Sequence, residues 1–538
     1  MRWGWWLLLL PLGCDLGGVG GERDGRRASS ADRRDPGTVV VGRPADALSL
    51  DPGRVTDNES AEVTEQIYEP LLHYRPGSNR IEPGLAERWE MSKDGRVWTF
   101  HLRDHVRFHD GTPLDAAAVV FSLERQRDVN HPFHRPDKTN LKFAYWENLY
   151  KNIRSIEAVS RLVVRITIDR HYAPFEANMA MFPVAIVSPT AVEEWGEEYY
   201  QHPIGTGPFR FSEWEAGRIV LERNADYWGE PPAVERLVFR AIPDGRQRLI
   251  ELESGAVDLA YSIVPDELQF VELHPDLQLF RAAANNIAYL AMNSLRPPFD
   301  DVRVRRAVNH AVNKQPIVKL AYQGLATPAR GPLPPTQWGH NADLATYEYD
   351  ADKARLLLAA AAADGHYDPN RTYNLYVPST PRPYLPNPEQ VARVIQANLA
   401  AVGMKVDLVV QGMKAHIEDA QRGEHDLTLF GWVGDNGDPD NFLYMLLDQD
   451  NTTLGVARNV AFFRHPALHE LLMQAQQSME RDVRERIYFK AQDIIAAEAP
   501  WVPLAHTQVA VAARIDVGGV VVNPSTHVDF RGVRRLGR

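Results

Sequence analysis

The segment Gly431–Phe442 reads Gly-Trp-Val-Gly-Asp-Asn-Gly-Asp-Pro-Asp-Asn-Phe and concentrates groups that could bind or ionise. Three carboxylates (Asp435, Asp438, Asp440) and two amides (Asn436, Asn441) fall within seven residues, beside the indole of Trp432. Gly434, Gly437 and Pro439 argue against regular helix or strand. The run Asp426-Leu427-Thr428-Leu429-Phe430 just before it alternates and predicts a strand entering a core. The pattern implies a stiff polar loop carried on the end of a strand, where binding groups tend to lie.

Three roles compete for it. The Asp and Asn side chains could simply cap neighbouring backbone in a turn. A calcium loop would need Gly at the sixth position and Glu at the twelfth, but counting from Asp435 those hold Asp440 and Leu446, so that role fails. The third is a cation site, with an ammonium group received by a carboxylate beside an aromatic wall.

Trp432–Phe442 resembles the amine-binding loop of the dipeptide-binding members of the peptide and nickel solute-binding proteins (family 5), which feed ABC importers. A second stretch, Thr380-Pro381-Arg382-Pro383-Tyr384-Leu385-Pro386-Asn387, is similar to the family segment whose arginine holds the ligand's carboxylate. Arg382 and Asp435 are spaced in sequence as in close dipeptide-binding relatives. The resemblance implies that Asp435 takes the ammonium and Arg382 the carboxylate of a free dipeptide. Trp432 and Tyr384 would be walls, with Gly434 and Met413 also at the site. Met413 stands where a close relative has an aromatic, which implies a wider or softer pocket.

The elements that must position these residues follow in order. At 538 residues the chain exceeds one ordinary core. With 44% hydrophobic and 24% charged residues it is globular, and a net charge of −12 argues against nucleic acid or anionic membrane as partners. The single cysteine, Cys14, excludes an intramolecular disulfide. It follows Trp5–Leu12, an apolar run too short to span a bilayer, which reads as a signal-peptide core. Leu12-Gly13-Cys14 resembles a lipoprotein processing site, although Pro11 stands where Leu is usual. With Asp15 next, the resemblance implies a protein anchored by lipid to the inner membrane and facing the periplasm; a plain secretory signal is the alternative. Residues 15–37, rich in Gly, Arg, Asp and Ser, read as a flexible tether.

The globular region alternates helix and strand, an α/β pattern. Asp115 is expected to cap a helix to Arg127 and Asp300-Asp301 another, and a third helix runs from Asp350 to a stop at Asp364-Gly365. Asn387-Pro388 starts a helix ending at Gly403, before a strand through Val406, Leu408 and Val410. Ile204-Gly205-Thr206-Gly207-Pro208-Phe209 and Asn224–Gly229 are similar to a recognisable family region and read as structural. The resemblance implies a type II periplasmic-binding-protein-like fold (cluster C) of two lobes. The first lobe would cover 38–287, with an extra subdomain at roughly 60–200, and the second 288–505. Residues 506–538 would return to the first lobe, giving hinge crossings near 286–290 and 500–506.

Catalysis and metals find little support. His101, His105 and His109 are read on one strand face, but four residues of strand span roughly 13 Å, too far to share an ion. His465-Pro466 fits a helix cap and first helical position better than a ligand pair with His469. No zinc-protease His-Glu-x-x-His, nucleophile elbow or phosphate loop occurs. A peptide hydrolase is therefore disfavoured. The expectation is a substrate-binding component with no cofactor and no metal, a monomer that delivers dipeptides to an inner-membrane ABC permease. Oligopeptide, heme or a nickel complex are alternative ligands, the last pointing to His416.

Overall fold

A computed structural model describes residues 37–263 and 267–536. Cys14 and the tether up to residue 36 lie outside the described residues. Among the described residues no helix is long and apolar enough to cross a membrane.

Two halves of one mixed sheet organise the molecule. The path runs through the strands Lys405–Gln411, Thr372–Pro378, Leu427–Val433, Asn286–Met292 and Trp501–Arg514. It continues through Leu259–Ala260, Thr38–Arg43, Arg236–Ala241, Arg218–Arg223 and Phe209–Glu215. Trp501–Arg514 belongs to both halves. Its first residues pair with Ala288–Ala291, while its last pair with Leu277–Ala283 and Leu259–Ala260. The chain passes from the first lobe to the second between Ala283 and Asn286 and returns along this shared strand.

Each lobe buries both faces of its half-sheet. In the second lobe, Leu375, Val377, Leu427 and Leu429 pack under the helix Pro388–Ala401, whose Val391, Ile395 and Leu399 sit at helical spacing. The opposite face packs Ile287 and Tyr289 against Phe442, Leu446 and Tyr488. A separate core, running from Leu71 to Ile186, surrounds a four-stranded antiparallel sheet (Ala86–Met91, Val97–Leu102, Val163–Ile168, Ile153–Ser160).

The expected caps are present. Asp115 accepts from Ala118 N at 3.0 Å and Asp301 from Arg303 N at 2.7 Å. Asp350, at the start of the third helix, also caps it, accepting from Lys353 N at 2.8 Å. His465 caps the helix Pro466–Gln477 through Leu468 N at 3.2 Å. One expectation fails. His101, His105 and His109 do not share a strand face, because the strand ends at Leu102 and His105 sits in a turn at φ 64°. His109 instead lies against Gly207 O, 3.0 Å from its Nε2.

Three separate sequence features converge on one buried group. Glu69 accepts from Thr206 Oγ1 (2.8 Å), Tyr227 OH (2.7 Å) and Trp228 Nε1 (2.7 Å). Burial raises its pKa and these donors oppose the rise. The neighbouring Gly205 permits the close approach: a Cβ there would lie 2.1 Å from Ile67 O. Gly205→Ala is expected to lower the unfolding free energy by about 1–3 kcal/mol or more, because a backbone oxygen cannot swing away as a side chain would. Urea titration measures this, and an unchanged midpoint would contradict the contact.

Candidate functional site

The strand Leu427–Val433, the site strand, carries the polar loop. Along its whole length it pairs antiparallel with Asn286–Met292, from Asn286↔Val433 to Met292↔Leu427. On its other edge Thr372–Pro378 pairs only with Leu427 and Thr428. Among the described residues, Leu429–Val433 therefore presents an edge without a strand neighbour.

Alternation assigns the two faces. Leu427, Leu429 and Val433 face the core that contains Tyr384, and Phe430 and Trp432 face the other. Gly431 is on the Tyr384 face, where a Cβ would lie 2.2 Å from the Tyr384 ring, so only glycine leaves room for that ring against the strand. Burial raises the Tyr384 hydroxyl pKa, and the Arg382 guanidinium beside it opposes the rise. Arg382 itself is exposed on a short loop closed by Arg382 N to Leu385 O (3.0 Å) and Leu385 N to Arg382 O (2.8 Å).

The loop's three carboxylates have separate roles. Asp438 is buried and forked by Arg484, whose NH1 and NH2 donate at 2.8 and 2.7 Å. Asp440 is buried against Gln476 Nε2 (3.1 Å) and Tyr172 OH (3.2 Å). It starts the helix Asp440–Leu447, so the stiff loop expected to reach Phe442 ends at Pro439 instead. The geometric reason is that Asp438 Oδ1 accepts from Asp440 N (3.0 Å) and turns the chain into its first helical turn.

Asp438 is the one of the three with a cation within ion-pair distance among the described residues; Asp440 has none, and neither does Asp435. Asn441, which sequence reasoning left without a role, clamps it. Asn441 Oδ1 accepts from Asp435 N (3.0 Å) and from Trp432 Nε1 (2.9 Å), while its Nδ2 donates to Asp435 Oδ2 (3.1 Å). From the first lobe Tyr145 OH donates to Asp435 Oδ1 at 3.4 Å. Burial raises the Asp435 pKa; the Asn441 hydrogen bond, the more distant Arg458 guanidinium and Tyr145 act against it. Neither Tyr145 nor Arg458 carried a signal in the sequence.

Two cavities meet at Asp435. The first, about 150 Å³, runs between the lobes past Gly434, Asn436 and Gly437 to Gln66, Glu69 and Tyr74. The second, about 370 Å³, is walled by Tyr289, Phe430, Trp432 and Leu446, with Tyr145 and Arg458 also lining it. Arg382, Tyr384 and Met413 line neither. Met413 is the half-buried first residue of the helix Met413–Arg422, whose Ile417 and Gln421 do reach the second cavity.

His416, the candidate nickel ligand, is buried and spends Nε2 on Leu429 O at 2.9 Å. Burial lowers its pKa to about 4. Asp448, Asp450 and His469 are close enough to hold an ion, their ligand atoms lying within 4.8 Å of one another. Asp448 there already accepts from Asp450 N (2.9 Å) and is 3.0 Å from His469 Nδ1.

A solute-recognition protein is the class that this two-lobed fold and interlobe site define. The family model for bacterial extracellular solute-binding proteins, family 5 (middle region), matches residues 80–453, and the chain belongs to that family. It is 34% identical over 504 residues to the heme-binding protein A of Haemophilus influenzae, covering 91% of each chain. It is 33% identical over 479 residues to the dipeptide-binding protein of Escherichia coli K12, covering 87% of this chain and 88% of that one. Among solved structures, HbpA2 from Haemophilus parasuis matches with a TM-score of 0.86 at 33% identity, covering 93% of this chain and 99% of that one. The periplasmic binding protein DppA from Helicobacter pylori, solved with peptide STSA, matches with a TM-score of 0.77 at 34% identity (93% and 98% covered).

The proton on Asp440 makes a pH test possible. Burial, followed by repulsion from Asp438, pushes its pKa from 3.8 up to about 7. Folding thus favours the protonated form, so this stabilising contribution is complete below about pH 4 and is lost as pH rises through 7. Asp440→Asn is expected to gain stability over the unmodified protein by roughly 1–4 kcal/mol more at pH 8 than at pH 4. Urea titrations at both pH values measure it, and parallel pH profiles would contradict the assignment.

Proposed function

We propose that this chain is the substrate-binding component of an ABC-type peptide importer and captures free dipeptides by their charged termini. The observation that carries the reading is the unpaired carboxylate of Asp435 at the end of a strand edge that lacks a neighbour. An extended dipeptide laid along Leu429–Val433 would pair its backbone with that edge, a mode of recognition indifferent to side chains. Its ammonium would meet Asp435, and its carboxylate would run toward Arg382 beside Tyr384, through a two-bond fork that lysine could not reproduce.

Two extended residues span about 7 Å, and a charge-assisted contact of about 2.8 Å at each end brings the total to about 12–13 Å. A longer peptide could not place both termini, and leaving a buried charge unpaired costs roughly 2–5 kcal/mol. That is about one and a half to three and a half decades of affinity.

A ligand held by both lobes would favour the form in which they touch, a population shift that a permease can sense. In this reading the protein works in the periplasm, anchored through Cys14 to the inner membrane, as a monomer with no catalytic role. The heme-binding relative makes hemin the competing ligand, so hemin belongs in the same titration. Calorimetry with Ala-Leu is expected to show Asp435→Asn and Arg382→Ala each weakening binding by about thirtyfold or more. N-acetylated Ala-Leu should lose a similar amount. Equal affinity for the free and acetylated peptide would overturn the reading.

A further inference from the structure

Arg458 is the unexplained charge next to the site. It is half-buried, and of its five N–H groups the structure gives one a partner, NH2 donating to Asn148 Oδ1 of the first lobe at 2.6 Å. No carboxylate lies within ion-pair distance of it among the described residues. It lines the same cavity as Asp435, and the two interact only electrostatically, at longer range. Tyr289, Phe430, Trp432 and Leu446 give that cavity apolar and aromatic walls, with Thr56, Asn148 and Gln421 as polar ones. Charges in such surroundings are screened less than in water.

A bound ligand changes this balance. When an ammonium occupies Asp435, the carboxylate that shares the cavity with Arg458 is engaged elsewhere. The guanidinium is then left in a largely apolar cavity with an amide as its sole partner. A ligand lying along the site strand points its successive side chains to opposite faces. The residue beside Asp435 is its first, and the face of Phe430 and Trp432 is the one that opens into this cavity. Arg382, on the Tyr384 face, does not serve it. An aromatic side chain would fill the walls but offer Arg458 only a cation–π contact, which is weaker than a charge-assisted fork.

Building on the dipeptide reading, we infer that this cavity receives the side chain of the ligand's first residue and that Arg458 selects an acidic one. The preferred ligands are dipeptides beginning with glutamate or aspartate. The α-ammonium sits on Asp435, the side-chain carboxylate sits on Arg458, and Asn148 holds the guanidinium in place from the opposite lobe.

The test uses Glu-Leu and Gln-Leu, which differ in charge and hardly in shape, with Ala-Leu as the reference ligand. Calorimetry on the full chain should find Glu-Leu bound at least about tenfold more tightly than Gln-Leu, and the ratio should fall to about one in Arg458→Gln. Arg458→Met provides the same reading should the first variant fold poorly. The unmodified protein tests the preference without any variant. Equal affinities for the two peptides in the unmodified protein overturn the inference while leaving dipeptide binding intact. A ratio that survives removal of Arg458 overturns it as well. So does an equal loss for Glu-Leu, Gln-Leu and Ala-Leu in Arg458→Gln, which would make Arg458 a partner of the terminal carboxylate. If no free dipeptide binds, both readings fall together.

Discussion

A carboxylate drawn out of water with no cation beside it is the constraint around which the site is arranged. Asp435 keeps its backbone and one oxygen on Asn441 and touches a tyrosine hydroxyl across the cleft, yet remains electrostatically incomplete. Of its two neighbours in the loop, one has a cation and one does not. Asp438, three residues on, receives a full guanidinium fork, and Asp440 is met by Gln476 and Tyr172. Those contacts fix the loop, which holds Asp435 in one position without an ion pair. Preorganisation of this kind would lower the cost of binding the proposed ammonium, because little would have to be ordered on its arrival.

The same loop joins the lobes. Asn436 Nδ2 donates to Asn178 Oδ1 (2.6 Å), Gly437 N to Tyr74 OH (3.0 Å), and Tyr145 and Tyr172 reach Asp435 and Asp440. Arg458 meets Asn148 at the mouth of the neighbouring cavity. In the proposed reading, ligand recognition and lobe contact share residues separated by more than two hundred positions in the chain. A ligand that improves the electrostatics of Asp435 necessarily acts on the interface between lobes. The shared strand Trp501–Arg514, which pairs with both halves of the sheet, offers a continuous hydrogen-bonded connection about which such movement could occur.

Much of this was legible locally. Asp115, Asp301, Asp350 and His465 cap the helices that follow them because capping depends on residues within one turn, and one turn is visible in a sequence. The alternating run before Trp432 is a strand, as its period of two predicts. The histidines at 101, 105 and 109 misled because even spacing says nothing about where a strand stops, and a left-handed turn at His105 broke it. Asn441 was passed over because its partners lie six and nine residues back, across a turn whose geometry the composition does not specify. Tyr145 and Arg458 could not be found from sequence spacing at all. Their relevance is created by tertiary approach, as is the unpaired edge of Leu429–Val433, which depends on where Thr372–Pro378 stops pairing.

The spatial relation of Asp435 to Arg382, along that edge and past Gly431, is the centre of the account. A crystal structure of the chain with bound Ala-Leu measures it directly. The account predicts the peptide nitrogen within hydrogen-bond distance of an Asp435 oxygen, the terminal carboxylate forked by Arg382, and the backbone paired to Leu429–Val433. A dipeptide bound with its ammonium away from Asp435, or with that strand edge left empty, would contradict it.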